Sequence, residues 1–300
     1  MNDQIEKVLN LSFYKVNDLY SDGDIEDELL NIVQNNDDYM EILKNDNRWP
    51  ILYHLSPIRE NLLEWYDYDK NGSVLEIGAG CGAVTGVFCR KTSRVVGIEL
   101  SKRRSMINAT RNAKYGNLEI LVGNFEDIQI KEKFDYVSLI GVLEYSPLYI
   151  NCESPFEDMV KRAKGFLKDD GKLIIAIENK MGLKYLAGAT EDHTGVPFDG
   201  VNNYENIDYV KTLSKPEIID LLRNAGYKKI EFYYPMPDYK MPNVIYSDNR
   251  LPNVGELRNI INVFDRERYQ TFNEEIVFDQ LIKDGLFDYF ANSFLIFASK

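Results

Sequence analysis

Val74-Leu75-Glu76-Ile77-Gly78-Ala79-Gly80-Cys81-Gly82 is the stretch that decides how this chain folds. A short apolar run suited to a buried strand passes into a glycine-rich turn, with an acid two residues ahead of the first glycine. A backbone without Cβ atoms can come close to a ligand, and amide groups at the start of a following helix would face that ligand. A nucleotide-like cofactor is the natural occupant. The same residues fit more than one pattern. Gly78, Gly80 and Ala83 match G-x-G-x-x-G/A, the dinucleotide fingerprint. Gly78, Gly80 and Gly82, with Glu76 in front, match E-x-G-x-G-x-G.

Outward from the turn, strands and helices alternate between residues 74 and 177, the pattern of a parallel sheet covered on both faces. Strands are expected at Val74–Ile77, Arg94–Ile98, Leu118–Val122, Phe134–Ile140 and Lys172–Ile177, with helices after each of the first three or four. Leu100–Tyr115 reads as a helix closed by Gly116, and Lys168–Gly171 as a tight turn into the fifth strand. Upstream, residues 1–70 read as an acidic helical region. Ile25, Leu29, Leu30 and Val33 have helical spacing there, and a second helix opens at Ser56-Pro57. The turn-rich stretch 67–73 links this region to a domain spanning 71–300.

Downstream the rhythm breaks into inserts at about 179–213 and 235–290, the second ending in an acidic helical stretch. Between them Ser214-Lys215-Pro216-Glu217 is a capping box that opens a helix ending near Gly226, followed by a strand at Lys228–Tyr234. Residues 293–298 read as a final strand.

Bulk properties narrow the function. The 300 residues are 44% hydrophobic, enough for a sizeable core. No apolar run approaches the roughly 20 residues of a membrane span, and the first residues lack the features of a signal peptide. Cys81, Cys89 and Cys152 have no metal-binding spacing and suit a reducing cytoplasm. The net charge of −13 disfavours nucleic acid as a partner, because the surface repels phosphate backbones. The densest basic run, Lys102-Arg103-Arg104, reads as a solvated helix face. No spacing among the many acids identifies a metal set, so no metal is expected.

The late strands set apart by a long insert resemble the ending of the class I S-adenosylmethionine-dependent methyltransferases, a Rossmann-like α/β fold whose mostly parallel sheet receives a reversed last strand between the fifth and sixth. The resemblance covers residues 74–180 by motif, and 214–234 and 293–299 more loosely. It implies cofactor contacts from Glu76, Gly78, Ala79, Gly80 and Gly82. It also implies that Glu99, followed by Leu100, accepts hydrogen bonds from the ribose, that Asn124 and Phe125 meet the adenine, and that Gly141 to Tyr145 line the methyl-transfer channel with Glu144 among them. A carboxylate at position 76 suits a ligand with positive centres and would be awkward beside a pyrophosphate. The N-terminal helices are expected to act as a lid, with Arg59 reaching the methionyl carboxylate and Tyr53 the sulfonium. Each of those two residues also has an ordinary packing role open to it.

Two histidines limit the search for a base. His193, in Glu191-Asp192-His193-Thr194-Gly195, is the candidate, with Asp192 or Glu191 holding its tautomer. Asn202-Asn203-Tyr204 and Tyr233–Tyr239 mix rings with amides and acids, as a sugar-binding surface does. Glu178-Asn179-Lys180, Glu191-Asp192-His193 and Tyr233–Tyr239 together resemble bacterial methyltransferases associated with glycosyltransferases of surface-polysaccharide assembly. That resemblance covers much of 50–300 and implies a glycan or other small-molecule acceptor, S-adenosylhomocysteine as product and a glycosyltransferase partner. Three other functions stay open: methylation of another small molecule such as a natural product or carboxylate, a catalytically silent module that binds a partner, and an NAD oxidoreductase.

Overall fold

The structure is a computed structural model that describes residues 3–15, 23–260 and 268–300. Parts of the expected N-terminal lid (1–2 and 16–22) and of the second insert (261–267) lie outside the described residues. The chain divides into two compact units: Met1–Leu139 with Phe166–Gly171, and Ile140–Gly165 with Lys172–Lys300. Among the described residues no helix is long and apolar enough to cross a membrane.

The strands of the first unit are β1 (Leu9–Asn10), β2 (Ser73–Ile77), β3 (Arg94–Glu99), β4 (Leu118–Val122) and β5 (Phe134–Ile140). They run parallel in the order β1-β4-β3-β2-β5. Every residue of β2 is buried, Ser73 and Glu76 included, which is why it shows no apolar–polar alternation. Register sets Glu76 beside Gly97 and Ser138, so the acid sits one residue before the end of β2. The glycine turn, Glu99 and Asn124 then follow the carboxyl ends of three neighbouring strands, where open α/β sheets bind ligands.

The helix after β3 spans Lys102–Asn112, opened by the Ser101 hydroxyl accepting the Arg104 amide. A 3₁₀ turn, Ala113–Tyr115, and Gly116 at φ 75° close it. No helix follows β4, contrary to the expected rhythm. Asn124 instead turns the chain by accepting the Glu126 amide at 3.1 Å, and the charged stretch beyond it buries Ile128. Upstream, the helix Ile25–Asn35 packs Leu29 and Val33 against Ile51, Leu55, Cys81 and Ile107. The helical region thus shares its core with the glycine turn. The single helix expected from Ser56 is broken into a 3₁₀ turn, Pro57–Glu60, and a short helix, Asn61–Glu64.

The second unit holds most of β6 (Leu167–Glu178), then β7 (Lys229–Met236), β8 (Val244–Ser247) and β9 (Ser293–Ser299), in the order β6-β9-β7-β8. β9 is antiparallel to both its neighbours, with Ile296 opposite Ile175 and Phe232. The last strand therefore enters reversed between two earlier ones, as the resemblance implied. Lys168–Gly171 is not a turn: β6 already begins at Leu167, and residues 168–170 are exposed strand positions. The capping box is present, with Glu217 accepting the amide and hydroxyl of Ser214. β8, which forms a hairpin with β7, had no clear sequence signal.

Phe294 of β9 is fully buried and meets Phe232 and Tyr234 edge-on at 5.4 and 6.2 Å. Phe294→Ala is expected to cost about 3–5 kcal/mol, measured as a lowered urea midpoint with the slope unchanged.

Candidate active site

Three glycines of the turn have left-handed backbone: Gly78 at φ 74°, Gly80 at 54° and Gly82 at 75°. At Gly82 a Cβ would also lie 2.5 Å from Asn108 Oδ1, so that position is closed to side chains twice over. The turn's peptide groups are satisfied from within the unit. Gly78 and Ala79 donate to Ile98 O at 2.9 and 3.0 Å, and Gly82 to Ala79 O at 3.1 Å. Gly80 donates to Glu99 Oε2 at 2.8 Å. The helix Lys102–Asn112 takes the carbonyls: Asn108 donates to Ala79 O at 3.4 Å, Arg111 to Cys81 O at 2.7 Å and Asn112 to Gly82 O at 3.4 Å.

These bonds separate the two cofactor patterns. A pyrophosphate site offers free amides to the ligand. Here the amides of Gly78, Ala79, Gly80 and Gly82 are already committed, and acids stand behind them. Glu76 is buried, and its Oε2 accepts the Thr85 hydroxyl at 2.7 Å. Burial, with Glu99 nearby, pushes its carboxyl up to about 8. Glu99 accepts the Ser101 amide at 2.9 Å through its other oxygen. Each of its oxygens keeps a lone pair that a ribose hydroxyl can use. Asn108, Arg111 and Asn112 were missed as site residues; their spacing on one helix face is the signal that was available.

The remaining first-unit candidates fall as follows. Leu100 is half-buried at the bend after β3. Asn124 and Phe125 are half-buried, and the Phe125 ring lies 5.9 Å from that of Phe166. The Phe13 carbonyl approaches within 2.7 Å of where a Gly123 Cβ would stand. The Arg59 guanidinium lies over the Tyr53 ring at 4.3 Å and is buried. The basic run is a solvated face only in part: Arg103 stays accessible to solvent, and Arg104 turns inward. Arg103 pairs with Asp27 at 3.1 Å, and an Arg104 nitrogen lies 3.2 Å from where a Gly80 Cβ would stand. Cys81 is buried, and its thiol is pushed up to about 11 by that burial, so it is not a reactive group.

The second unit gathers Gly141, Glu144, Asp192 and His193. Gly141, at φ 69°, donates to Ala176 O at 2.9 Å, and a Cβ there would meet the Tyr239 hydroxyl at 2.9 Å. Glu191, not Asp192, holds the imidazole: its Oε1 lies 2.9 Å from His193 Nδ1. Its Oε2 accepts the amides of His193 and Thr194, both at 2.7 Å. Tyr204 also donates to Glu191, at 3.0 Å, from a backbone at φ 55°. His193 Nε2 faces Glu144 Oε1 at 3.6 Å, beyond hydrogen-bond reach. Burial alone would lower the imidazole; Glu144 and Glu191 outweigh it and hold it well above the usual histidine range. Burial raises the Glu144 carboxyl, helped by Glu178 and opposed by His193.

Asp192 serves a different group. It meets Lys184 at 3.0 Å and also bonds Lys240 and the Tyr185 hydroxyl. Burial works against its ionisation, but the two lysines hold it well below the usual carboxylate range. Lys240 also reaches Glu178 Oε1 at 2.7 Å. The sugar-binding surface expected at Tyr233–Tyr239 is not one. Tyr234 and Tyr239 are buried; Tyr234 packs against Phe287 and Phe294, and Tyr233 lies edge-on to Phe297 at 5.6 Å. Asn202 and Asn203 are exposed.

Comparison with known proteins shows the family of the chain. A methyltransferase-domain family model matches residues 75–175. The chain is 32% identical over 161 residues to an uncharacterized methyltransferase of Alkaliphilus oremlandii, spanning 53% of this chain and 68% of that one. It is 26% identical over 215 residues to the ribosomal RNA small subunit methyltransferase A of Mycoplasma capricolum, spanning 66% and 79%. A solved SAM dependent methyltransferase from Archaeoglobus fulgidus aligns with a TM-score of 0.50 at 14% identity, over 88% of this chain and 100% of that one. A parallel sheet with a reversed last strand and an acid-backed glycine turn is the class of S-adenosylmethionine-dependent methyl-transferring enzymes. The chain belongs to the methyltransferase family, with S-adenosylmethionine as its methyl donor.

The closed glycine turn and the buried Glu76, which has no ion-pair partner among the described residues, fit that donor. When bound, S-adenosylmethionine supplies an electrophilic methyl group on a sulfonium. Below pH 8 the free protein keeps Glu76 mostly neutral, so binding the ligand's ammonium requires loss of a proton. Affinity for S-adenosylhomocysteine is therefore expected to rise with pH toward 8, by up to about tenfold per unit, and then level off. Glu76→Gln should bind weakly with no such rise in calorimetric titrations. Stability has the opposite sign. The folded protein holds a proton at Glu76 between pH 4.5 and 8 that the unfolded chain does not, so its stability falls across that window. Melting curves of Glu76→Gln should gain on those of the parent from pH 5 to 8.

Proposed function

We propose that this methyltransferase O-methylates a hydroxyl-bearing small molecule, with the His193 cluster as the acceptor-side machinery. The observation that carries this reading is the buried imidazole held by Glu191 at 2.9 Å, with Glu144 facing its other nitrogen. A hydroxyl is a poor nucleophile until a base takes its proton. Glu144 and Glu191 favour the protonated ring, so His193 acts as the candidate general base only once that proton has left and Nε2, with Nδ1–H directed at Glu191, presents its lone pair. Aligning acceptor and methyl in line supplies much of the rate in such a displacement.

A saccharide or sugar-containing acceptor is the class put first. Phe198 and Tyr209 are exposed rings in the same loop as the exposed amides of Asn202 and Asn203, and ring faces with nearby amides suit a polyol. A glycosyltransferase partner belongs with that reading. A cytoplasmic setting is supported by the three free cysteines.

The ribosomal RNA methyltransferase relative favours RNA as a second acceptor. Against it stand the net charge of −13 and the engagement of Arg103 with Asp27 and of Arg104 with the glycine turn. RNA binding, if real, would weaken steeply with salt.

An S-adenosylhomocysteine-release screen over nucleotide sugars, oligosaccharides, small carboxylic acids and RNA tests the assignment. On the acceptor found, His193→Ala is expected to lose about 10²–10⁴-fold in kcat with cofactor affinity unchanged. An unaltered rate in that variant, or turnover on RNA alone, would overturn it.

A further inference from the structure

We propose that Glu144, Glu178 and His193 form a binding site for a divalent first-row transition-metal ion. The inference deepens the acceptor-site reading and rests on it for the ion's chemical role, though not for the binding itself.

The three residues come from separate segments of the second unit: the 3₁₀ turn Leu143–Tyr145, the end of β6 and the loop after it. Each offers a ligand atom, and these atoms lie within 4.8 Å of one another. Such a grouping of acids means little alone, but a second observation points to a cation. Glu144 and Glu178 are sealed from solvent, and Glu144 Oε2 and Glu178 Oε2 have no hydrogen-bond partner. A desolvated carboxylate oxygen is costly without a donor or a positive charge beside it. Glu178 Oε1 has Lys240 at 2.7 Å. Among the described residues the ionic partner of Glu144 is His193, at 3.6 Å.

The imidazole is arranged as a ligand would be. Metal-binding histidines commonly donate their second N–H to a carboxylate, which fixes ring and tautomer. His193 Nδ1 meets Glu191 Oε1 at 2.9 Å, and Glu191 is itself fixed by Thr194 and Tyr204. Nε2 is thereby turned toward Glu144. The wider charge balance agrees: the carboxylates of Glu144, Glu178, Glu191, Asp192 and Asp238 are buried together with only Lys184, Lys240 and His193 among their ion-pair partners in the described residues.

Two carboxylates and one imidazole form a mixed oxygen and nitrogen set. It suits Mn²⁺, Fe²⁺, Co²⁺ or Zn²⁺ better than Ca²⁺, which prefers oxygen throughout. Three protein ligands leave coordination positions open. An acceptor hydroxyl bound in one of them would become more acidic, and His193 would then serve as ligand rather than base.

The test is a Mn²⁺ titration of chelator-treated full-length protein, followed by the loss of the free-ion electron paramagnetic resonance signal. One ion per chain is expected. Glu144→Gln, Glu178→Gln and His193→Ala should each abolish binding, and Glu191→Gln should weaken it by about 10–100-fold. S-adenosylhomocysteine affinity and melting temperature, measured on the same samples, verify that each variant is folded. Absence of bound Mn²⁺, Co²⁺ and Zn²⁺ in the parent, or equal uptake by folded variants, overturns the proposal. The two readings fail separately. Methyl transfer that survives chelation but is lost in His193→Ala overturns the ion's chemical role and keeps the base. Stoichiometric Mn²⁺ uptake without turnover on any hydroxyl acceptor supports the site and overturns the acceptor.

Discussion

Asn108 donates to the carbonyl of Ala79 and to the hydroxyl of Thr85, and Thr85 in turn donates to Glu76. This short buried chain of hydrogen bonds fixes the glycine turn. A segment with glycine at 78, 80 and 82 has more conformational freedom to lose than any other of its length, so it needs outside restraint. The helix Lys102–Asn112 supplies that restraint from one face, through Asn108, Arg111 and Asn112. That helix is itself held by apolar packing, since Ile107 and Cys81 share a core with Leu29, Val33, Ile51 and Leu55. The N-terminal helices therefore contribute to the core on which the glycine turn rests. They are part of what keeps that turn in shape.

Restraint of this kind has an electrostatic consequence. Once Ile98 O, Glu99 and Ala79 O have taken the amides of the turn, little positive potential is left to attract an anion. What remains is acidic: Glu76 behind the strand and Glu99 beside the turn. The same fold element that serves phosphate in other proteins is here suited to a ligand with positive centres. The glycine pattern alone could not separate those uses, because both need glycine at the same places for the same steric reason; in the sequence only Glu76 spoke for one of them. The structure adds the side chains that reach the turn from 29 and 30 residues away.

That distance also explains what was legible in the sequence and what was not. The strands Leu118–Val122 and Phe134–Ile140 match their expected bounds, because both are apolar runs buried along most of their length. The last strand was legible as an apolar run and the capping box as Ser214 three residues ahead of Glu217, whereas the reversal of β9 was implied only by the family resemblance. The helix expected after β4 fails because Asn124 offers its own side chain to the Glu126 amide, and a turn so closed gives no helical start. Lys168–Gly171 looked like a turn by composition, yet β6 extends through these residues with Lys168, Asp169 and Asp170 exposed at its start. Tyr233–Tyr239 looked like a binding surface because aromatic and polar residues alternate there. Packing decided otherwise, with Tyr234 against Phe287 and Phe294 and Tyr233 against Phe297.

The second unit shows why a loop can hold a site as firmly as a helix does. Phe198, Asn203 and Tyr204 all adopt left-handed backbone, a conformation that costs energy for residues with a Cβ. It is retained because it sets the Tyr204 hydroxyl between Glu191 and Thr212, at 3.0 and 2.6 Å. Glu191 then receives the amides of His193 and Thr194 as well as the imidazole. With so many donors converging on one carboxylate, neither the acid nor the ring it holds has another low-energy arrangement nearby. The strain at Tyr204 and the orientation of His193 are thus two ends of one constraint.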